Sequence, residues 1–308
     1  MKTKQYNHLL QNDDNIQNNQ VWIPSGAGIK PSNAHQFTLD WKGRLNGGFS
    51  AEATLFYKTM NDLTTYKEGY ASLIGDLNWQ SKLETGGKGV AYGFEAMIKK
   101  ETGAWTGFAS YAYTRSTRKY DEINAGKAYT FDFERPHSFS LNVNRKINDK
   151  LNLNVSWVYQ TGLPYTPAIG RQYTTSGQAL DGYSRYEFYE ALIYGERNSA
   201  RMRDYHRMDV GLTYSKKSRS RGHSILWNFA IYNIYNRQNP YYYYYNDGDG
   251  IDYYDPSVHE KTGNLALYQV CNLPIIPTVS WKIIFDGKNP RPGNFGTRFK
   301  KWLYYEYE

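Results

Sequence analysis

The sequence predicts an all-β fold: an antiparallel transmembrane β-barrel wall of about nine long strands, with short turns at one end and long loops at the other. Three observations predict it. Apolar and polar residues alternate with a period of two through most of the 308 residues. The connections between the alternating stretches are short and long by strict turns. Aromatics make up 17% of the chain, with 31 Tyr against 13 Phe, and Tyr, with an apolar ring and a polar tip, suits a boundary between oil and water. Mean hydropathy is −0.75 and no apolar run approaches the ~18 residues that a spanning helix needs. A strand crosses with about 10 residues of alternating polarity, so its mean hydropathy is unremarkable.

Taken in order, the first strand falls at 35–44, where Phe37, Leu39 and Trp41 share a face. In 49–59, Phe49, Ala51, Ala53, Leu55 and Tyr57 alternate with Ser50, Glu52, Thr54 and Lys58. Strands follow at 91–101 (Tyr92, Phe94, Ala96, Ile98) and 105–115 (Trp105, Ala109, Tyr111, Tyr113). In 137–147 the apolar set is Phe139, Leu141, Val143 and Ile147, and in 151–160 it is Leu151, Leu153, Val155, Trp157 and Tyr159. The stretches 205–215 (Met208, Val210, Leu212, Tyr214), 223–235 (Ile225, Trp227, Phe229, Ile231) and 265–285 (Val279, Trp281, Ile283, Phe285) complete the series. The polar face, with Glu52, Lys58, Asn142, Asn152, Asn154, Arg207 and Asp209, suits a wet interior.

Four connections are short and rich in turn formers: Asn46-Gly47-Gly48, Thr102-Gly103-Ala104, Asn148-Asp149-Lys150 and the basic Ser215–Gly222. Between them lie long ones at 60–90, 116–136, 161–204 and 236–264. A soluble sandwich has no reason to keep all its long loops at one end, whereas a membrane barrel has short periplasmic turns and long extracellular loops. With long loops outside, the ninth strand runs inward and ends in the periplasm.

Catalytic chemistry has no support. The six histidines (His8, His35, His137, His206, His223, His259) lack HxH or HxxxH spacing, and rim positions bonded to loops suit His35, His137 and His206. No Gly-x-Ser-x-Gly elbow or phosphate-cradling loop occurs. The single Cys271 excludes a disulfide framework. The net charge of +8 is scattered over turns and strand ends, which points to solvated loop charge and away from nucleic acid. Binding candidates sit in the long loops. Tyr241, Tyr242, Tyr243, Tyr244 and Tyr245, with Tyr253 and Tyr254, offer stacking surface and hydroxyls for a sugar, chelate or peptide, against the plainer role of an outer girdle. Arg197, Arg201 and Arg203 suit an anionic ligand or a lipopolysaccharide phosphate. Asp247, Asp249, Asp252 and Asp255, spaced among glycines, form an oxygen-rich candidate for calcium, although the frame is not that of an EF-hand and a solvated turn is the simpler role.

Several strings resemble TonB-dependent outer-membrane receptors of the Bacteroidetes type. They are VWIPSGAGIKPSNAHQFTLDW (21–41), FSAEATLFYKTMNDLTTYKEG (49–69), YGFEAMIKKETGAWTGFASYAYTRSTRKYDEIN (92–124), FERPHSFSLNVNRKINDKLNLNVSWVYQTGLPYT (133–166), RMRDYHRMDVGLTYSKK (201–217), NFAIYNIYNRQNPYYYYY (228–245) and LPIIPTVSWKIIF (273–285). Their order matches that of the family, and together they cover most of 20–285. The resemblance implies the C-terminal part of a barrel of about 22 strands, with a plug domain and a TonB contact encoded upstream, and a nutrient ligand such as a siderophore, cobalamin, glycan or peptide. It also implies that Phe285 belongs to the signal read by the barrel-assembly machinery. Residues 1–34 are then expected to be an extracellular loop remnant, 35–285 the partial barrel, and 286–308 an atypical tail. The N-terminus MKTKQYNHLLQNDDN lacks the apolar core of a signal peptide, so a fragment or truncated reading frame is expected. The rival classes are a passive porin-like or small self-contained barrel and a soluble aromatic-rich β-sheet binding module. Upstream sequence separates the first rival from a receptor, and detergent dependence separates the second.

Overall fold

The structure, a computed structural model, describes residues 1–10, 21–26, 28–70, 73, 78–180, 183–217, 223–246 and 266–285. One antiparallel sheet dominates. Its long path is β1 (Lys2–Gln5), β2 (Ser32–Leu45), β3 (Phe49–Tyr66), β4 (Leu83–Lys100), β5 (Trp105–Lys119), β6 (His137–Lys146), β7 (Leu151–Gln160), β8 (Tyr205–Lys217), β9 (His223–Tyr232) and β10 (Ile276–Phe285). Each strand pairs with its sequence neighbour, and the two ends of the path do not meet, so the sheet is an open segment of a barrel. Three-residue 3₁₀ turns and one of four residues are the only helical pieces among the described residues.

Register explains the sidedness, because opposed residues in an antiparallel pair point to the same face. One row runs Leu39–Leu55–Phe94–Tyr113–His137 across β2 to β6. Another runs Val143–Val155–Val210–Ile231–Pro277 across β6 to β10. Among the described residues nothing packs on this apolar face: Phe37 is 71% exposed, Leu39 70% and Trp281 64%. Among the described residues the buried apolar side chains, such as Leu10, Tyr66, Leu83, Tyr120 and Ile123, all sit at the loop end. An ordinary soluble sheet buries its apolar face against a second layer. Here that face is left for lipid.

The opposite face is polar and bonded to itself. Thr54 donates to Asp40 (2.7 Å), Lys42 pairs with Glu52 (3.0 Å), and Asn142 donates to Ser156 (2.6 Å). Asn154 donates to Asn144 (2.9 Å), and Arg207 donates to Asp209, Tyr205 and Tyr232. Aromatic bands flank the apolar face. At the loop end Tyr111 meets His137 (2.7 Å) and His206 meets Tyr235 (2.9 Å). At the turn end Lys100 lies over Phe49 and Arg145 over Trp105. These amphipathic rings and snorkelling cations belong at membrane interfaces.

All nine expected strands are present, with three differences. First, β3 and β4 are each 18 residues long and run past the expected ends at 59 and 91. A bulge near Met60 and Leu63 absorbs the Asn61-Asp62 pair, and the extension is held by burial of Tyr66 and Leu83 against Leu10, Ile23 and Ile29. Second, the stretch 265–285 is two strands. Ala266–Cys271 pairs with Pro240–Asn246 in a loop hairpin, and β10 starts only after Pro274, which lacks a ladder donor. Third, the 161–204 connection contains its own hairpin, Ala168–Leu180 with Tyr183–Tyr194. At the turn end, Asn148 accepts from the amides of Lys150 and Leu151 (2.9 and 3.0 Å), an Asx turn.

Candidate functional site

The long connections meet at one end of the wall, and polar side chains knit them together. The centre of the knot is Glu134, buried between β5 and the 161–204 loop. Its carboxylate accepts from the Ser116 amide, pairs with Arg201, and lies 3.5 Å from Arg115. Arg201 also donates to the carbonyls of Glu134 (3.1 Å) and Gly162 (3.2 Å). Gly162 is required there: a Cβ would stand 1.9 Å from the Met202 carbonyl oxygen.

Asn198, in a left-handed backbone conformation, is a second tie. Its side-chain amide donates to the Thr130 carbonyl (2.8 Å) and to Asp132 (2.6 Å), and its backbone amide donates to Thr166 (3.1 Å). Lys127 pairs with Glu196 (2.8 Å), an exposed contact of little energetic weight. Asp204 accepts from the Tyr159 hydroxyl (2.7 Å) and the Gly162 amide (3.0 Å). Asn239 exchanges two hydrogen bonds with the His206 backbone, both 2.9 Å. Beneath this network Tyr120, Ile123 and Tyr129 form a small apolar core, and burial pushes the Tyr120 hydroxyl up to about 12.

The tyrosine run lies on the Pro240–Asn246 strand of the last loop hairpin. Tyr243 and Tyr245 face the neighbouring loop: the Tyr243 hydroxyl accepts from the Arg203 amide (3.0 Å), the Tyr245 hydroxyl accepts from the Ala168 amide (2.8 Å), and the Tyr243 ring meets Tyr165 edge-on at 5.3 Å. Tyr242 and Tyr244 form a ring ladder with Tyr268, with spacings of 6.1 and 5.5 Å. Tyr241 is 59% exposed, and among the described sequence candidates it and Arg203 are the exposed ones. Arg197 is inward, with its guanidinium over Tyr129 (4.9 Å) and 3.8 Å from Asp132. The structure thus brings Arg197, Arg201, Arg203 and Tyr241 to Tyr245 to one end of the wall. Tyr253, Tyr254, Asp247, Asp249, Asp252 and Asp255 lie outside the described residues. Among the described residues, no group of three His, Cys, Asp or Glu side chains could hold a metal ion. Glu134, Asn198 and Asp204 escaped the sequence reading because their partners are 18 to 68 residues away; the ERP string hints only that the backbone turns there.

A wall with one lipid-ready face, one hydrated face and loops gathered at one end defines a membrane-spanning β-barrel. The chain belongs to the family described as TonB dependent receptor-like, beta-barrel, whose model matches residues 3–236. Its place is the bacterial outer membrane. No curated protein matches it in sequence. Among solved structures, it is similar to the ferripyoverdine receptor of the outer membrane of Pseudomonas aeruginosa bound to ferripyoverdine, at 15% identity and TM-score 0.45, covering 83% of this chain and 28% of that one. It is similar to the FrpB iron transporter from Neisseria meningitidis, at 12% identity and TM-score 0.45, covering 84% and 32%. It is also similar to the outer membrane transporter YddB from Escherichia coli, at 11% identity and TM-score 0.43, covering 71% and 31%. The chain spans about three tenths of the length of these structures.

Proposed function

We propose that the chain supplies wall strands and outer loops to a Bacteroidetes-type TonB-dependent importer, and that it carries out no catalysis itself. In the whole receptor a plug domain fills the hydrated lumen, a nutrient such as a siderophore, cobalamin, glycan or peptide docks at the loop end, and TonB pulls on the plug with inner-membrane energy. Barrel-assembly machinery reads Phe285 during insertion, and the proposed segmentation is loop remnant 1–34, of which Lys2–Gln5 pairs along the edge of the sheet, wall 35–285 and tail 286–308. One observation carries this reading: long loops from four connections converge at one end of a wall that is polar inside and apolar outside, with Tyr241 to Tyr245 among them. Tyrosine-rich loops offer stacking and hydrogen bonds at low entropic cost. The family match and the ordered resemblance of the strings from 21 to 285 support it as well.

The test is uptake. Cells producing the intact receptor are given a panel of labelled iron chelates, cobalamin, oligosaccharides and peptides, with and without a protonophore. Accumulation of one class that stops when the inner membrane is de-energised is expected. Accumulation that persists without energy makes the protein a passive pore and sinks the proposal.

A further inference from the structure

Two carboxyl groups are buried among the described residues, Glu134 and Glu84. Arginines neutralise Glu134. Glu84 is 8% exposed, in the part of β4 that extends past the membrane, and has no ion pair with any described residue. It lies where two pieces of the loop end meet. On one side is the outer hairpin, the outward ends of β3 and β4, in which Glu84 opposes Thr65 and Leu83 opposes the buried Tyr66. On the other is the 120–131 loop. Its Tyr120 ring lies against Gly87, where a Cβ would stand 2.1 Å away, and its Asn124 amide donates to Glu68 (2.7 Å). Glu122 of that loop reaches Glu84 twice: its backbone amide donates to the Glu84 carboxyl, and its carboxyl meets the Glu84 carboxyl. Two ionised carboxylates have only lone pairs to offer each other, so that second contact needs a proton. Lys67 holds the exposed Glu122 (3.4 Å), which leaves the proton with the buried partner. Burial, and then the Glu122 charge, hold the Glu84 carboxyl above the usual carboxylate range. The other titratable groups around it are Lys67 and Tyr66 from the hairpin and Tyr120 from the loop, while Lys82, just before β4, lies over the Tyr70 ring (5.9 Å).

We infer that Glu84 and Glu122 form a proton-operated latch, which clamps the 120–131 loop onto the outer hairpin in acid and lets it loosen towards neutral pH. The folded loop end favours the neutral carboxyl. Its stabilisation is therefore complete below the ordinary carboxylate range and is lost as the pH climbs through the raised value. The effect reaches further into the loops. Asn124 accepts from the Arg197 amide (2.9 Å) and Lys127 pairs with Glu196 (2.8 Å), so a loosened 120–131 loop also frees the segment that carries Arg197 and Arg201. As a regulator of nutrient docking the latch rests on the function proposed above, but as a contact it does not. Failed uptake would leave it standing, and its failure would leave energised uptake untouched.

The experiment measures amide protection factors by hydrogen exchange, on the full chain folded in lipid vesicles, at about pH 5 and about pH 7.5. Protection in 120–131 and 196–201 is expected to be severalfold higher at the lower pH, with β6 and β7 unchanged. Glu84→Gln, which keeps the shape and cannot ionise, is expected to hold the loop at both pH values. Glu122→Gln removes the like charge but not the burial, and is expected to weaken the pH response without abolishing it. Asp149→Asn, at the turn end, is expected to respond as the parent does. Equal protection at the two pH values, a Glu84→Gln variant that still loosens towards neutral pH, or an undiminished response in Glu122→Gln would each overturn the inference. Should either glutamine variant fail to fold, the pH comparison on the unaltered chain decides the matter.

Discussion

Glu134 shows how one carboxylate can set the shape of the loop end. It is 3% exposed and holds two arginines and a backbone amide from two other segments, β5 and the 161–204 loop. A buried charge is stable only when paired and bonded, and removing one partner exposes the cost of the other. Because Arg201 and Arg115 are partly exposed and can rehydrate, the loss in Glu134→Ala should fall at the low end, about 2 kcal/mol. The effect should be local. Amide exchange at Ser116 and in the 129–136 and 161–163 segments is expected to quicken about 30-fold, while gel migration of the folded wall is unaltered. Arg201→Ala should give a similar change, and the two together little more, since they break the same contact. Unchanged exchange would mean that the loops are held elsewhere. None of this could be read from the sequence, where Glu134 stands among Phe133, Arg135 and Pro136 and Arg201 was a ligand candidate. Contacts across 67 residues leave no local pattern.

Strands were far more legible than loops, for a physical reason. A side-chain period of two is imposed on every residue of a wall that separates lipid from water, so the pattern repeats ten residues at a time. Beyond the membrane that demand ends. Met60 to Tyr66 and Leu83 to Val90 continue as strands although Asn61-Asp62 and Gly86-Gly87 signal a turn, because an outer hairpin buries their apolar residues. The glycines in the wall have a separate logic. Gly107 on β5 adopts φ +145°, and a Cβ there would lie 2.0 Å from the Asn142 carbonyl oxygen on β6. Gly107→Ala must push the two strands apart and strain the backbone, so assembly yield in outer membranes is expected to fall severalfold. Gly211→Ala on β8 would meet nothing closer than 3.9 Å and is expected to assemble normally. Heat-modifiable migration of membrane fractions measures both, and equal yields would show that the β5–β6 spacing is not limiting.

At the scale of the whole molecule, everything depends on which face of the sheet meets lipid. Val155 sits in the middle of the apolar face, in the row Val143–Val155–Val210. Ser140 on β6 lies on the opposite face, between Ser110 and Val158. Both positions are half-buried in mid-strand, so the medium on each side is what separates them. A charge near the middle of the lipid-facing band costs about 2–4 kcal/mol, whereas a charge facing a hydrated lumen is solvated. Val155→Arg is therefore expected to lower the denaturant midpoint for unfolding in lipid vesicles by that margin. Ser140→Arg should shift it by less than about 1 kcal/mol, the usual bound for a solvated surface change. The pair of variants is stronger than either alone, because a general intolerance of arginine would damage both. Should Ser140→Arg prove the more disruptive, the polar face would be the packed one. Outward lipid and inward water would then have to be given up together.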